Sequence, residues 1–247
     1  MEHPAKMSTP LKVSVGSNPT LSAKEKMKRN IYCFWVGHNN TVMNENRING
    51  LNSLINNSQV NVILVNNDNL ANYILPDHPL HQGFQYLSDV HKADYLRTYF
   101  MHHYGGGYSD IKPCSWDWNP YFEELENSDA FGIGAPEDEG ELSVTVKQRP
   151  WLGKYWPYLV SNDLYIFKPN TFFTKVWYET LLRIMDSKLE RLIESPAKHS
   201  REAADTVHTT YPIEWGEILL EIFHPLCFFN SSKILKTMPY PITQNYR

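Results

Sequence analysis

The residues best suited to chemistry lie between positions 88 and 112. After Ser88, the apolar residues Val90, Ala93, Leu96, Phe100 and Tyr104 recur at intervals of three and four. That spacing predicts an amphipathic helix with Ser88 as its N-cap. On a wheel of 100° per residue, Arg97 falls inside the apolar stripe and Asp94 lies at its edge, on the same side. A charge in a core-facing stripe needs a partner, because burying it alone costs several kcal/mol. An Asp–Arg pair that merely staples the helix meets that need, and so does a pair aimed at a ligand. Gly105–Gly107 then end the helix and let the backbone turn sharply into a short strand, Tyr108–Lys112, cut by Pro113. Glycines there also let a ligand approach closely. Asp110 would sit at the carboxyl end of that strand, where open α/β sheets bind ligands. A carboxylate at that point can hold a divalent cation bound to a pyrophosphate, offsetting charge on a departing phosphate. A turn carrying a surface Asp is the competing reading. Lys112 shares a strand face with Asp110, since side chains two apart point the same way, and it brings positive charge to the same place.

The surrounding chain supplies a frame for these residues. Ile31–Val36 is a continuous run of β-formers ended by Gly37 and reads as a buried strand. A helix over Met43–Ile55 and a second buried strand over Val60–Val65 complete a βαβ unit, hence a parallel sheet. Farther on, strands are expected at Phe131–Ala135 and Asp163–Phe167, and a helix over Pro169–Leu192. Glu137–Glu141 reads as a solvated acidic loop and Ser195–Thr206 as a polar, mobile stretch. Pro212 is expected in the first turn of a helix running on to Pro225. The fold class that follows is α/β, one Rossmann-like domain with a central, mostly parallel sheet.

Composition narrows the partners. The chain has 247 residues, 42% hydrophobic and 20% charged, with a net charge of −4, so it is read as an ordinary globular chain with no nucleic-acid ligand. Three widely spaced cysteines, Cys33, Cys114 and Cys227, form no CxxC and suggest neither a disulfide scaffold nor a zinc site. No signal peptide or 18-residue apolar run is seen, so no membrane span and a cytoplasmic location are expected.

Three segments in order resemble GT-A glycosyltransferases that carry a DXD motif, a group including mannosyltransferases, capsular polysaccharide synthesis transferases and clostridial glucosylating toxins. They are Ile31-Tyr-Cys-Phe-Trp-Val-Gly37, Ala93-Asp-Tyr-Leu-Arg97, and His103-Tyr-Gly-Gly-Gly-Tyr-Ser-Asp-Ile-Lys112. The resemblance is good over residues 29–125. It is looser at Asn162–Thr171 and at Tyr211-Pro-Ile-Glu-Trp-Gly-Glu217. It departs from the family at the second Asp of D-x-D, where this chain has Lys112.

The resemblance implies a GT-A nucleotide-sugar-binding fold. Residues 1–28 would be a polar tail, 29–112 the nucleotide-sugar half and 113–247 the acceptor half. It implies transfer of a sugar from a nucleotide-sugar donor, UDP-linked by preference and GDP-linked as the other option, to a carbohydrate or other hydroxyl acceptor. Trp35 would lie against the base, with Val36 beside it; core packing is the plainer role for Trp35. Asp94 and Arg97 would hold the ribose and diphosphate-sugar region, with Gly106, Gly107 and Tyr108 lining the donor site. Asp110 and Lys112 would be the catalytic pair. Asp110 would meet Mn²⁺ or Mg²⁺, bound weakly or dispensable because Lys112 replaces an acid, with His208 or His224 as a further ligand. Asn162, Asp163, Trp215 and Glu217 would border the acceptor. Of the other histidines, His103 reads as a packing residue. Glu214, Glu217 and Glu221 read as one solvated helix face. A donor- or glycan-binding protein without turnover is the alternative, kept open by Lys112.

Overall fold

A computed structural model of the chain describes residues 27–37, 42–137, 146–204, 209–240 and 242. Among these residues six strands form one sheet: β1 Asn30–Trp35, β2 Asn61–Asn66, β3 Gly106–Ser109, β4 Gly132–Pro136, β5 Val160–Phe167 and β6 Ile234–Leu235, in the order β2-β1-β3-β5-β4-β6. β1 pairs in parallel with β2 and β3, and β4 with β6. β5 runs antiparallel to both its neighbours, β3 and β4. The protein is therefore α/β with a mixed sheet whose parallel pairings outnumber its antiparallel ones.

Among the described residues five α-helices cover the sheet: α1 Glu45–Asn57, α2 Asp89–His103, α3 Asn119–Glu126, α4 Phe172–Glu194 and α5 Leu220–Phe229. Alternate residues of β1 enter different cores, which explains why its sequence is apolar throughout. Tyr32 and Phe34 join the aromatic core with Phe100, Tyr165, Trp177 and Phe223. Ile31 and Cys33 join the opposite core with Trp118, Phe122 and Ile166. None of the helices is long and apolar enough to cross a membrane, among the described residues.

α2 begins as the sequence predicts, with the Ser88 hydroxyl accepting the His91 amide hydrogen. α4 starts from a capping box in which Thr171 and Thr174 satisfy each other's backbone amides. Two expectations need correction. β3 begins at Gly106, inside the glycine run, and ends at Ser109, not at Lys112. Gly105 and Gly106 take φ of +62° and +90°, which turns α2 directly into the sheet. The helix expected from Pro212 to Pro225 runs from Leu220 to Phe229 instead, because Gly216 has φ +83° and breaks the path before it. Pro225 lies inside α5, and the Glu221 carbonyl that it cannot bond accepts from the Arg149 guanidinium at 3.3 Å.

Other surface expectations also change. Residues 195–204, expected to be mobile, are tied down. The buried Glu202 carboxylate accepts from the backbone amides of Lys198 and His199 and from the Thr209 hydroxyl, and the Ser200 carbonyl accepts from Val90. Glu137 is buried rather than solvated, and the rest of the acidic stretch lies outside the described residues. Glu214, Glu217 and Glu221 do not share a helix face. Each has its own partner, in Lys147, Lys188 and the Gln148 amide.

Candidate active site

A cleft of about 930 Å³ opens at the carboxyl ends of β1 and β3. This is where open α/β sheets place their ligands, since the loops leaving parallel strands diverge there. Trp35, the last residue of β1, stands partly buried on its wall with Val36. Asp94, Arg97, Tyr108, Asp110, Lys112, Asn162, Asp163 and Trp215 line the same space.

The floor is a network of charges. The Arg97 guanidinium lies 3.1 Å from the Asp94 carboxylate and 3.8 Å from Asp110, and donates to the Asn162 carbonyl at 3.0 Å. It also stacks over the Tyr108 ring, 4.3 Å from its centroid. Tyr108 donates its hydroxyl hydrogen to Asp110 at 2.5 Å. Lys112 Nζ sits 3.2 Å from Asp110 Oδ2 and 2.5 Å from Asp163 Oδ2. The Lys112 side chain is only 6% exposed, against 25% for Asp110 and 22% for Asp163. The carboxylates thus meet the cleft, and the ammonium lies beneath and between them.

Local structure explains why these groups converge although Asp110 and Lys112 lie beyond the end of β3. The β3–β5 ladder continues one step further through the backbone, Asp110 N–H to the Asp163 carbonyl at 2.8 Å. The chain then leaves the sheet and is held by α1. Arg47 donates to the Ile111 carbonyl at 2.8 Å. Ser53 and Asn57 bond the Cys114 carbonyl, each at 2.7 Å. Gly50 gives α1 room to lie against Lys112, because a Cβ there would stand 3.2 Å from the Lys112 carbonyl carbon.

Burial and charge set the protonation states. Burial pushes Asp94 up to about 6, opposed by Arg97 and reinforced by Asp110. Burial also works against an ionised Asp110. Lys112, Arg97 and the Tyr108 hydroxyl together outweigh it and hold Asp110 below the usual carboxylate range. For Asp163 burial comes first and the Asp110 charge second, and together they leave it raised although Lys112 and Arg97 oppose them.

Several expected residues lie elsewhere. Gly106 and Gly107 do not line the cleft; they are buried in β3, where a Cβ on Gly107 would come within 2.9 Å of Trp118. Glu217 points away, into a 2.9 Å ion pair with Lys188. His224 is buried on α5, 3.9 Å from Glu137, and is not among the lining residues. His208 lies outside the described residues. His103 packs among His78, Tyr99 and Tyr178. Arg47 and Arg201 line the cleft and carried no sequence signal. Arg201 lies over the Trp215 ring at 5.3 Å.

The residues present do not fit a divalent ion in this arrangement. The space between Asp110 and Asp163 holds the Lys112 ammonium, and no three His, Cys, Asp or Glu converge among the described residues. No protein-family model, curated protein or solved structure matches the chain.

Proposed function

We propose that the protein is a glycosyltransferase of GT-A type that moves a sugar from a nucleotide-sugar donor, preferentially UDP-linked, to a hydroxyl acceptor. The observation that carries this reading is one cleft with an aromatic wall at Trp35 and a floor of mutually paired charges, Asp94, Arg97 and Lys112 buried and Asp110 and Asp163 half-buried. An indole suits a flat base, and fixed charges suit a diphosphate whose negative charge grows as it leaves. In the reaction the acceptor oxygen bonds to the anomeric carbon and the bond from that carbon to the diphosphate oxygen breaks. Its electron pair stays with the nucleoside diphosphate, and the acceptor proton passes to a base. The protein contributes position and charge. Trp215 and Arg201 also line the cleft and are assigned to the acceptor.

The saturation of two carboxylates by one ammonium favours a second reading, a donor-binding protein without turnover. A panel of nucleotide-sugars screened by thermal shift, followed by an assay for released UDP, tests both. A binding-competent ligand raises the unfolding temperature. Turnover releases UDP steadily. Stabilisation without release supports the binder, and no response to any nucleotide-sugar refutes both.

A further inference from the structure

We propose that Lys112 is the resident cation of this cleft: its ammonium fills the place between Asp110 and Asp163, excludes a divalent ion from it, and from beneath offsets the two carboxylate charges that a donor diphosphate would face there. The naming of the diphosphate rests on the function proposed above; the exclusion of the metal does not.

The geometry carries the argument. Magnesium and calcium bind carboxylate oxygens at about 2.0–2.6 Å. Lys112 Nζ already lies 2.5 Å from Asp163 Oδ2 and 3.2 Å from Asp110 Oδ2. An ion shared by those oxygens and this ammonium would occupy the same volume and carry the same sign of charge. Lys112 is also not poised to swing away. Its side chain is 6% exposed, and α1 pins the backbone on both sides of it through Arg47 to Ile111 and through Ser53 and Asn57 to Cys114. Arg97 adds a second fixed cation on the opposite side of Asp110 at 3.8 Å. Charge counting agrees. Arg47, Arg97, Lys112 and Arg201 balance Asp89, Asp94, Asp110 and Asp163 around the cleft, so its lining is formally neutral without a metal. An ammonium acts on phosphates as a point charge, which is the electrostatic service that a metal gives elsewhere.

Mn²⁺ alone, titrated into the ligand-free protein and followed by the electron-spin signal of the free ion, tests this. The wild type is expected to show no saturable binding up to about 1 mM, a weak-site ceiling. Lys112→Met keeps an unbranched side chain, one atom shorter, and removes its charge. It is expected to gain Mn²⁺ affinity by at least about tenfold, and Lys112→Met with Asp163→Asn is expected to lose that gain. Saturable binding to the wild type as tight as to Lys112→Met, or no gain in the variant, overturns the proposal. Should the variants not fold, UDP affinity of the wild type in chelator and in Mn²⁺ decides it. Values within about twofold support the resident ammonium, and an increase of about tenfold with Mn²⁺ overturns it. If UDP binds in neither condition the functional reading fails, while the Mn²⁺ titration of the wild type still decides the cation.

Discussion

Lys112 and Asp163, 51 residues apart in the chain, meet at 2.5 Å beneath the cleft. The contact joins the segment pinned by α1 to the antiparallel strand β5, and through Asp110 it also engages Arg97 and Tyr108. Disturbing one member therefore changes the charge state of the others.

Asp110 tests the centre of that network. Asp110→Asn preserves shape but removes the carboxylate that faces Lys112, Arg97 and the Tyr108 hydroxyl. Transfer is expected to be lost while the circular dichroism spectrum remains that of the wild type. Turnover near the wild-type rate in the folded variant would remove Asp110 from the reaction.

Trp35 is tested by nucleotide affinity. Trp35→Ala is expected to weaken UDP binding by about 1–3 kcal/mol, the range for an aromatic ring stacked on a base. Titration calorimetry measures it, and unchanged affinity would reduce Trp35 to a wall residue.

Asp94 gives a stability signature of definite sign. Its native value of about 6 lies above the ordinary 3.8, raised first by burial. Between those values the native state keeps a proton that the unfolded chain has lost. The contribution of this group to stability therefore falls as pH rises from about 4 to 6. Asp94→Asn removes that fall, so the variant should gain about 2 kcal/mol relative to wild type between pH 4 and 6.5. Urea unfolding at the two pH values checks it, and a constant difference between the proteins would contradict the raised value.

Buried histidines act in the opposite direction. Burial holds His224 and His91 down to about 4, from 6.5. Below pH 6.5 the unfolded chain takes up protons that the native state refuses, so each contribution is intact above 6.5 and is lost as pH falls toward 4. Each histidine steepens acid unfolding by at most about 1.4 kcal/mol per pH unit. His224→Leu should flatten the wild-type profile between pH 6.5 and 4.5. A variant as acid-sensitive as the wild type would show that His224 is not held neutral.

Much of this arrangement was readable from residue patterns, and what was missed has physical causes. The first βαβ unit and α2 were visible because apolar period and capping agreed locally. The wheel set Arg97 beside Asp94, but α2 is buried on nearly every face rather than along one stripe, and Val90 and Ala93 of that stripe are half-buried beside the cleft. The end of β3 was misplaced because its glycines carry no β-forming signal, although they pair with β5 and make room for Trp118. Lys112 and Asp110 do share a pocket, but the continued β3–β5 ladder holds Asp110 and α1 holds the chain on either side of Lys112. Arg47 and Arg201 were invisible because nothing in their neighbouring residues marks them; only the packing of α1 and of residues 195–204 brings them to the cleft. The turn at Gly216 escaped because Pro212 and the glutamates after it match a helix start.

The place of β5 between β3 and β4 constrains how this gene can be divided. A fragment ending after Lys112 would retain Trp35, Asp94, Arg97 and Asp110. It would leave β3 as a bare edge, an open template for intermolecular pairing, and Lys112 would lose Asp163. The later fragment would hold β5 and β4 with no strand to receive them on one side. Neither piece is a transplantable module: the cleft-facing charges come together only after β5 has closed against β3.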